Sequence, residues 1–135
     1  MSRSALYTAN TSNQLIAVDN EINLGSIIRR YGCNLDLSGS TVRVAGEGYY
    51  DFKVSVTAAP VAEGEVTISL YKNNVPIPGA TASETVAAGG DFANLAIDCI
   101  IRENCAICDG PSNITLVLSG SQSNITNVAL TAEKI

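Results

Sequence analysis

The chain has 135 residues, of which 46% are hydrophobic and only 16% are charged, and its net charge is −5. This length fits one domain, which we place over residues 1–135, and the composition is too apolar for a disordered chain. The sequence has no histidine, which excludes Ser-His-Asp and Cys-His catalysis and most zinc and iron enzyme sites. The eight Lys and Arg residues form no basic stripe, so we expect no nucleic-acid binding. We therefore expect a structural or binding module and not an enzyme.

Neither a targeting segment nor a membrane segment is visible in the sequence. The first ten residues contain one basic residue and no apolar stretch of the signal-peptide kind. No run of about 18 apolar residues occurs. We expect synthesis in the cytoplasm without a signal peptide, and no membrane insertion.

Alternation of apolar and polar residues, the pattern of a half-buried β-strand, recurs along the chain. In chain order the candidate strands are 5–10, 14–18, 25–29, 34–37, 41–45, 50–57, 66–71, 95–102, 114–119 and 128–133. Turns rich in Gly, Asn and Pro separate the longer runs. About ten short strands at this spacing indicate an all-β sandwich or barrel.

A family resemblance begins at residue 48. Gly48, Tyr50 and Phe52 form a Gly-x-Tyr-x-Phe strand opening, and residues 66–76 then give a strand, an Asn-rich hairpin turn and the start of the next strand. Together with segments 23–25 and 127–135, this order resembles the tumour-necrosis-factor-like superfamily, which includes the complement globular head. More narrowly, it resembles the bacterial and phage branch of that superfamily. The resemblance implies a jelly roll of about ten strands that assembles as a threefold homotrimer.

The strand opening also predicts which side chains face outward. If Tyr50 and Phe52 fill the interior, then Tyr49, Asp51 and Lys53 point out of the same sheet. In the family that the chain resembles, this face packs against neighbouring subunits near the threefold axis. The resemblance therefore implies that Tyr49, Asp51 and Lys53 lie in a trimer interface, where the two charged residues could pair between subunits. The alternative is the solvated face of a monomer.

The sequence contains four cysteines that could carry redox or metal chemistry: Cys33, Cys99, Cys105 and Cys108. Cys105 and Cys108 form a CxxC motif, but it falls between two candidate strands and not at the start of a helix, as a thioredoxin-like site requires. One such pair without histidine falls short of a zinc site, which needs four ligands. Cys99 alternates in step with Leu95, Ile97 and Ile101 on its candidate strand, which favours a small buried side chain. Three readings stay open: structural thiols, a disulfide in the loop or between subunits, and a metal site that three chains complete together.

The resemblance implies a non-enzymatic trimeric head on a phage virion or on a bacterial or spore surface. Its role there would be capsid decoration, a fibre head or receptor binding. Its partners would be its own copies, other virion or surface-assembly proteins, and a host-surface glycan or protein. Loops carrying Asn73, Asn74, Asp91 and Asp109 would face a ligand. We expect no cofactor, although family members sometimes hold calcium in acidic loops.

The alternative function belongs to a different class. It is a monomeric carbohydrate-binding jelly roll, or a redox or metal module that uses the loop of Cys105 and Cys108. The absence of His and Trp counts against both versions.

Overall fold

A computed structural model describes residues 3–104 and 111–135. The described part contains eleven strands: β1 Ala5–Asn10, β2 Gln14–Ile16, β3 Ser26–Tyr31, β4 Leu35–Ser38, β5 Thr41–Val44, β6 Gly48–Pro60, β7 Gly64–Lys72, β8 Val75–Val86, β9 Ala93–Glu103, β10 Ser112–Ser119 and β11 Ser123–Lys134. None of the described segments is a helix long and apolar enough to cross a membrane.

The strands form two antiparallel sheets. The front sheet has the order β3-β1-β11-β6-β9, with β2 also paired to β11, and the back sheet has the order β4-β5-β10-β7-β8. The two last strands lie between early ones, since β11 separates β1 from β6 and β10 separates β5 from β7. This connectivity is that of a jelly roll, in which two Greek keys wrap into a double sheet. The all-β jelly-roll prediction is therefore confirmed.

Alternation in β6 shows how the sequence creates the core. Tyr50, Phe52, Val54 and Val56 are buried, and the residues between them point outward. Because side chains along a strand point to alternate faces, one face of each sheet supplies the interior. The same parity in β7, β10 and β11 buries Ile68, Leu70, Ile114, Leu116, Leu118, Val128 and Leu130.

Strand β8 was missing from the strands predicted by alternation. It is the edge strand of the back sheet, and of its twelve residues only Ala80 and Val86 are fully buried. An edge strand exposed on one side has no regular apolar alternation, and it tolerates Pro76 and Pro78 because it needs only one set of ladder hydrogen bonds. The count of about ten strands therefore becomes eleven in the described chain.

The hairpin between β7 and β8 turns at Asn73 and Asn74, whose φ angles are +51° and +66°. Two central residues with positive φ are those of a type I′ turn, which matches the twist of a β-hairpin. The turn is also fixed to β10, because the Asn113 amide donates to the Asn73 side-chain oxygen at 2.9 Å. The predicted Asn-Asn hairpin is confirmed.

The molecule has two distinct ends. At the termini end, the Lys134 amide donates to the Ser4 carbonyl and the Ile135 amide donates to the Tyr49 carbonyl. At the opposite end, which we call the loop end, loops 61–63, 87–92 and 120–122 meet. The Val61 amide donates there to the Gln122 carbonyl, and the Gly90 amide donates to the Pro60 carbonyl.

Candidate functional site

Rows of residues cross the outward face of the front sheet, because the five strands are held in fixed register. The row nearest the termini is Tyr31, Ala5, Glu133, Asp51, Ile100, and the next is Arg29, Tyr7, Thr131, Lys53, Asp98. A third row, nearer the loop end, holds only the small residues Ala9, Ala129, Ser55 and Ala96. The outward face is therefore uneven, with bulky groups towards the termini end.

A cavity of about 490 Å³ lies on this face between β3 and β6. Arg29 and Tyr31 form one wall, Asp51 and Lys53 form the other, and Thr131 lies on the floor. We call this cavity the trough. The short side chains of Ala5 on β1 and Thr131 on β11 leave space there, and the longer Tyr7 and Glu133 also line it.

An ion-pair network occupies the β6 wall of the trough. The Lys53 ammonium donates to Asp51 Oδ2 at 2.6 Å and lies 3.6 Å from Asp98 Oδ1. The hydrogen bond from Lys53 lowers the pKa of the Asp51 carboxyl, and the same bond raises the pKa of Lys53. Asp51 and Lys53 therefore pair with each other within one chain, and pairing between subunits stays a prediction of the family resemblance.

Tyr49 on β6 and Ile100 on β9 add two large side chains to the same face near the termini end. Tyr49 points outward, as predicted, and 49% of its surface is exposed. The Arg102 guanidinium lies over its ring at 5.0 Å from the centroid, a cation–π contact that holds the ring in place. Ile100 is 62% exposed. Tyr49 and Ile100 thus present large apolar surfaces to solvent on the isolated chain.

A second exposed apolar surface lies where β8 and β9 run side by side. Val75, Pro76, Ile77 and Pro78 surround a depression of about 380 Å³ together with Ile100. We call this surface the apolar edge. Strand alternation does not reveal this surface, although four consecutive apolar residues directly after the hairpin turn are a visible signal for it.

Lys72 and Arg102 frame the apolar edge. The Lys72 ammonium donates to the Arg102 carbonyl at 2.6 Å, which ties the end of β7 to β9. The basic groups therefore border the apolar surface without interrupting it.

The residues of the Gly-x-Tyr-x-Phe motif lie at the start of β6, where they shape the fold and its core. Gly48 has φ +144°, and a side chain there would meet the Lys134 side chain at 2.8 Å. Tyr50 is buried, and its hydroxyl donates to the Gly46 carbonyl at 2.6 Å. Burial and the nearby Glu103 carboxylate raise the pKa of Tyr50. Phe52 is fully buried in the core.

Glu103 is a buried carboxylate that sequence analysis overlooked. It is only 2% exposed, and none of residues 3–104 and 111–135 forms a hydrogen bond with its Oε2 atom. The signal was available, because Glu103 continues the inward parity of Leu95, Ile97 and Ile101. An unpaired buried oxygen of this kind destabilises the fold.

Only two of the four cysteines can be placed. Cys33 is exposed and Cys99 is partly buried, and both are free thiols. Burial raises the pKa of Cys99, and the Asp98 and Asp51 carboxylates raise it further. The predictions for Cys105, Cys108 and Asp109 fall outside the described residues. Within 3–104 and 111–135, no three Cys, Asp or Glu side chains are grouped as metal ligands.

The residues predicted to face a ligand do not share one surface. Asn73 and Asn74 turn at the termini end, since Lys72 pairs with Ile114 near the start of β10. Asp91 lies in loop 87–92 at the loop end. The structure therefore separates these residues by the length of the sandwich.

The two sheets and their connectivity define a TNF-like jelly roll, and comparison with solved structures gives the same fold. Murine APRIL superposes with a TM-score of 0.72 at 14% identity, over 99% of this chain and 100% of that chain. The globular domain of zebrafish complement 1qA gives 0.68 at 6% identity, covering 95% and 94%. The PRD1 vertex protein P5 gives 0.60 at 17% identity, covering 98% and 96%.

No family model and no curated protein matches the sequence. The likeness is therefore one of fold, and it confirms the resemblance predicted from residues 48–76.

Proposed function

We propose that this protein is a non-enzymatic homotrimeric head with a structural or attachment role on the surface of a phage virion or bacterial assembly. The observation that carries the proposal is the presence of two exposed surfaces with large apolar side chains: the trough, where Tyr7 and Tyr31 are exposed beside the ion-pair network, and the apolar edge. Soluble monomers rarely expose large apolar patches, and such patches mark interaction sites. The TNF-like fold supports the same proposal.

The positions of the two surfaces favour a closed ring of copies. The trough lies on the β3 side of β6, and the apolar edge lies beyond β6 on the β9 side. When one copy's edge packs on the next copy's trough side, the contact is heterologous. Such a contact closes into a ring when the rotation between copies permits. Three copies is the number that the TNF-like resemblance implies.

Burial of Tyr49 and Ile100 would supply the stability of this interface. The Asp51–Lys53–Asp98 network would enter it already paired, so no lone charge would be buried. Charge networks at interfaces fix orientation and exclude wrong partners more than they raise affinity. We therefore infer that Asp51 and Lys53 fix how neighbouring subunits are oriented. Tyr49 and Ile100 would supply the affinity between subunits.

The role on a virion or cell surface is supported by the likeness to the PRD1 vertex protein P5. A non-enzymatic role is supported by the composition, because a chain without histidine lacks the commonest general base. Presenting three copies of each loop on one assembly would multiply weak contacts through avidity. Partners would then be other surface-assembly proteins or a host-surface molecule.

The test is the solution mass by light scattering, with and without reductant. A trimer gives about 42 kDa, three times the chain mass of 14.0 kDa. A trimer that survives the reductant supports an interface made by side-chain packing. A trimer that dissociates on reduction assigns assembly to a disulfide, and a monomer in both conditions refutes the proposal.

A further inference from the structure

Charge is unevenly distributed along the sandwich. All eight basic residues lie in the half of the molecule nearer the termini end: Arg3, Arg29, Arg30, Arg43, Lys53, Lys72, Arg102 and Lys134. The strand register sets this placement. Lys53, for example, pairs with Thr131 near the end of β11, and Arg43 pairs with Asn113 near the start of β10.

The loop end carries only negative charge. Four exposed carboxylates lie there: Glu63, Glu65, Glu84 and Asp91. The ion pairs of the described residues involve only Arg30 and Lys53 as cations, so none of these four carboxylates forms an ion pair with a described residue. Because surface charges are screened over about 8 Å at physiological ionic strength, the distant basic residues do not compensate for them.

Exposed apolar side chains lie among these carboxylates. Phe92 is 64% exposed, and Val61 is also exposed. Loop 87–92 packs directly against Val61, since a side chain at Gly89 would meet the Val61 carbonyl oxygen at 2.5 Å. Glu63 follows Val61 by two residues, and Asp91 immediately precedes Phe92. The loop end therefore combines an apolar centre with acidic surroundings.

We propose that the loop end is a docking surface for a protein whose own surface presents Lys and Arg around an apolar patch. Charge complementarity selects this partner class. A phosphate-rich glycan, a nucleic acid or an anionic membrane would meet four carboxylates and no basic residue, so each would be repelled. Complementary charge accelerates encounter and excludes wrong partners, and the apolar centre supplies affinity.

The surface belongs to each single chain and does not require the trimer. If the proposed homotrimer forms, three such surfaces lie at the same end and their contacts add by avidity. The proposal deepens the attachment role by naming the chemistry of the partner. Its failure is distinguishable from a failure of the trimer, because mass and binding are measured on the same samples.

The test uses a synthetic amphipathic Lys/Leu peptide as the probe and two variants that each remove two negative charges. One variant, Glu63→Gln with Asp91→Asn, changes the loop end. The matched control, Asp36→Asn with Glu47→Gln, changes exposed carboxylates in the termini half. We expect the loop-end variant to bind the peptide about tenfold more weakly and the control to change by less than about twofold.

Two further measurements locate the contact. Carbodiimide cross-linking of lysine amines to carboxylates should join the peptide to Glu63, Glu65 and Asp91. Phe92→Thr should weaken binding while leaving its salt dependence unchanged. The proposal is overturned if both double variants weaken binding equally, if cross-links fall mainly in the termini half, or if anionic vesicles bind the unmodified protein at the loop end. If Phe92→Thr binds the peptide as tightly as the unmodified protein does, the claim that exposed apolar side chains supply affinity is refuted.

Discussion

Ile100 offers the sharpest test of the proposed assembly. It is 62% exposed on the isolated chain and belongs to both the front face and the apolar edge. The substitution Ile100→Thr keeps the β-branched shape that suits a strand, so the fold of one chain should change little. The trimer should weaken, because the apolar surface that Ile100 contributes is lost.

The size of the effect follows from the exposed fraction. Replacing Ile by Thr removes two apolar carbons, each worth about 0.8 kcal/mol when buried. Since only 62% of the residue's surface remains to be buried, each copy loses about 1 kcal/mol. Three copies lose about 3 kcal/mol, which lowers the trimer association constant about a hundredfold. The concentration at half dissociation, which varies as the square root of that constant, rises about tenfold.

The assay is sedimentation velocity over a dilution series, with the unfolding free energy measured in parallel. Phe92→Thr is the matched control, because Phe92 is 64% exposed but lies at the loop end, away from the trough. The reasoning is refuted if both variants shift the half-dissociation concentration equally, or if Ile100→Thr leaves it unchanged while the protein is trimeric.

Three further predictions concern stability and thiol chemistry. Glu103→Met should raise the unfolding free energy by about 1–3 kcal/mol, because it removes a buried oxygen that has no hydrogen-bond partner among the described residues; a lower value in chemical denaturation contradicts this. Since Lys53 lowers the pKa of Asp51, the stability that Asp51 contributes is complete above its unfolded pKa of about 3.9 and is lost as the pH falls further. Lys53→Met should therefore raise the midpoint pH of acid unfolding, and an unchanged midpoint counts against the pairing. Iodoacetamide should alkylate exposed Cys33 faster than Cys99, whose pKa is raised by burial; equal rates by peptide mapping contradict the placement.

Local patterns in the sequence were sufficient for most of the fold. The alternation through Tyr50 and Phe52 determined which face of β6 is buried, and it therefore placed Tyr49, Asp51 and Lys53 outward. When one face of a strand is buried and the other is exposed, the alternation of apolar and polar residues in that strand shows which side chains face the core.

Features that depend on the pairing of distant strands were not accessible in this way. The trough brings Arg29 of β3 into the same row as Lys53 of β6 only because β1 and β11 lie between them. No local pattern encodes that register. The acidic loop end is similarly non-local, since Glu63 and Asp91 come close only because loop 87–92 packs against Val61.

The pairing of β1 with β11 has a mechanical consequence. Six antiparallel residue pairs join them, from Ala5 with Glu133 to Asn10 with Val128, and the outer ends of both strands lie at the same end of the molecule. A force pulling those two ends apart would open the ladder one pair at a time, as a zipper opens. A force between the same end and loop 87–92 would load the strands lengthwise and strain many hydrogen bonds together. A head anchored at its termini and gripped at its loops would therefore resist far greater tension than one pulled by both termini.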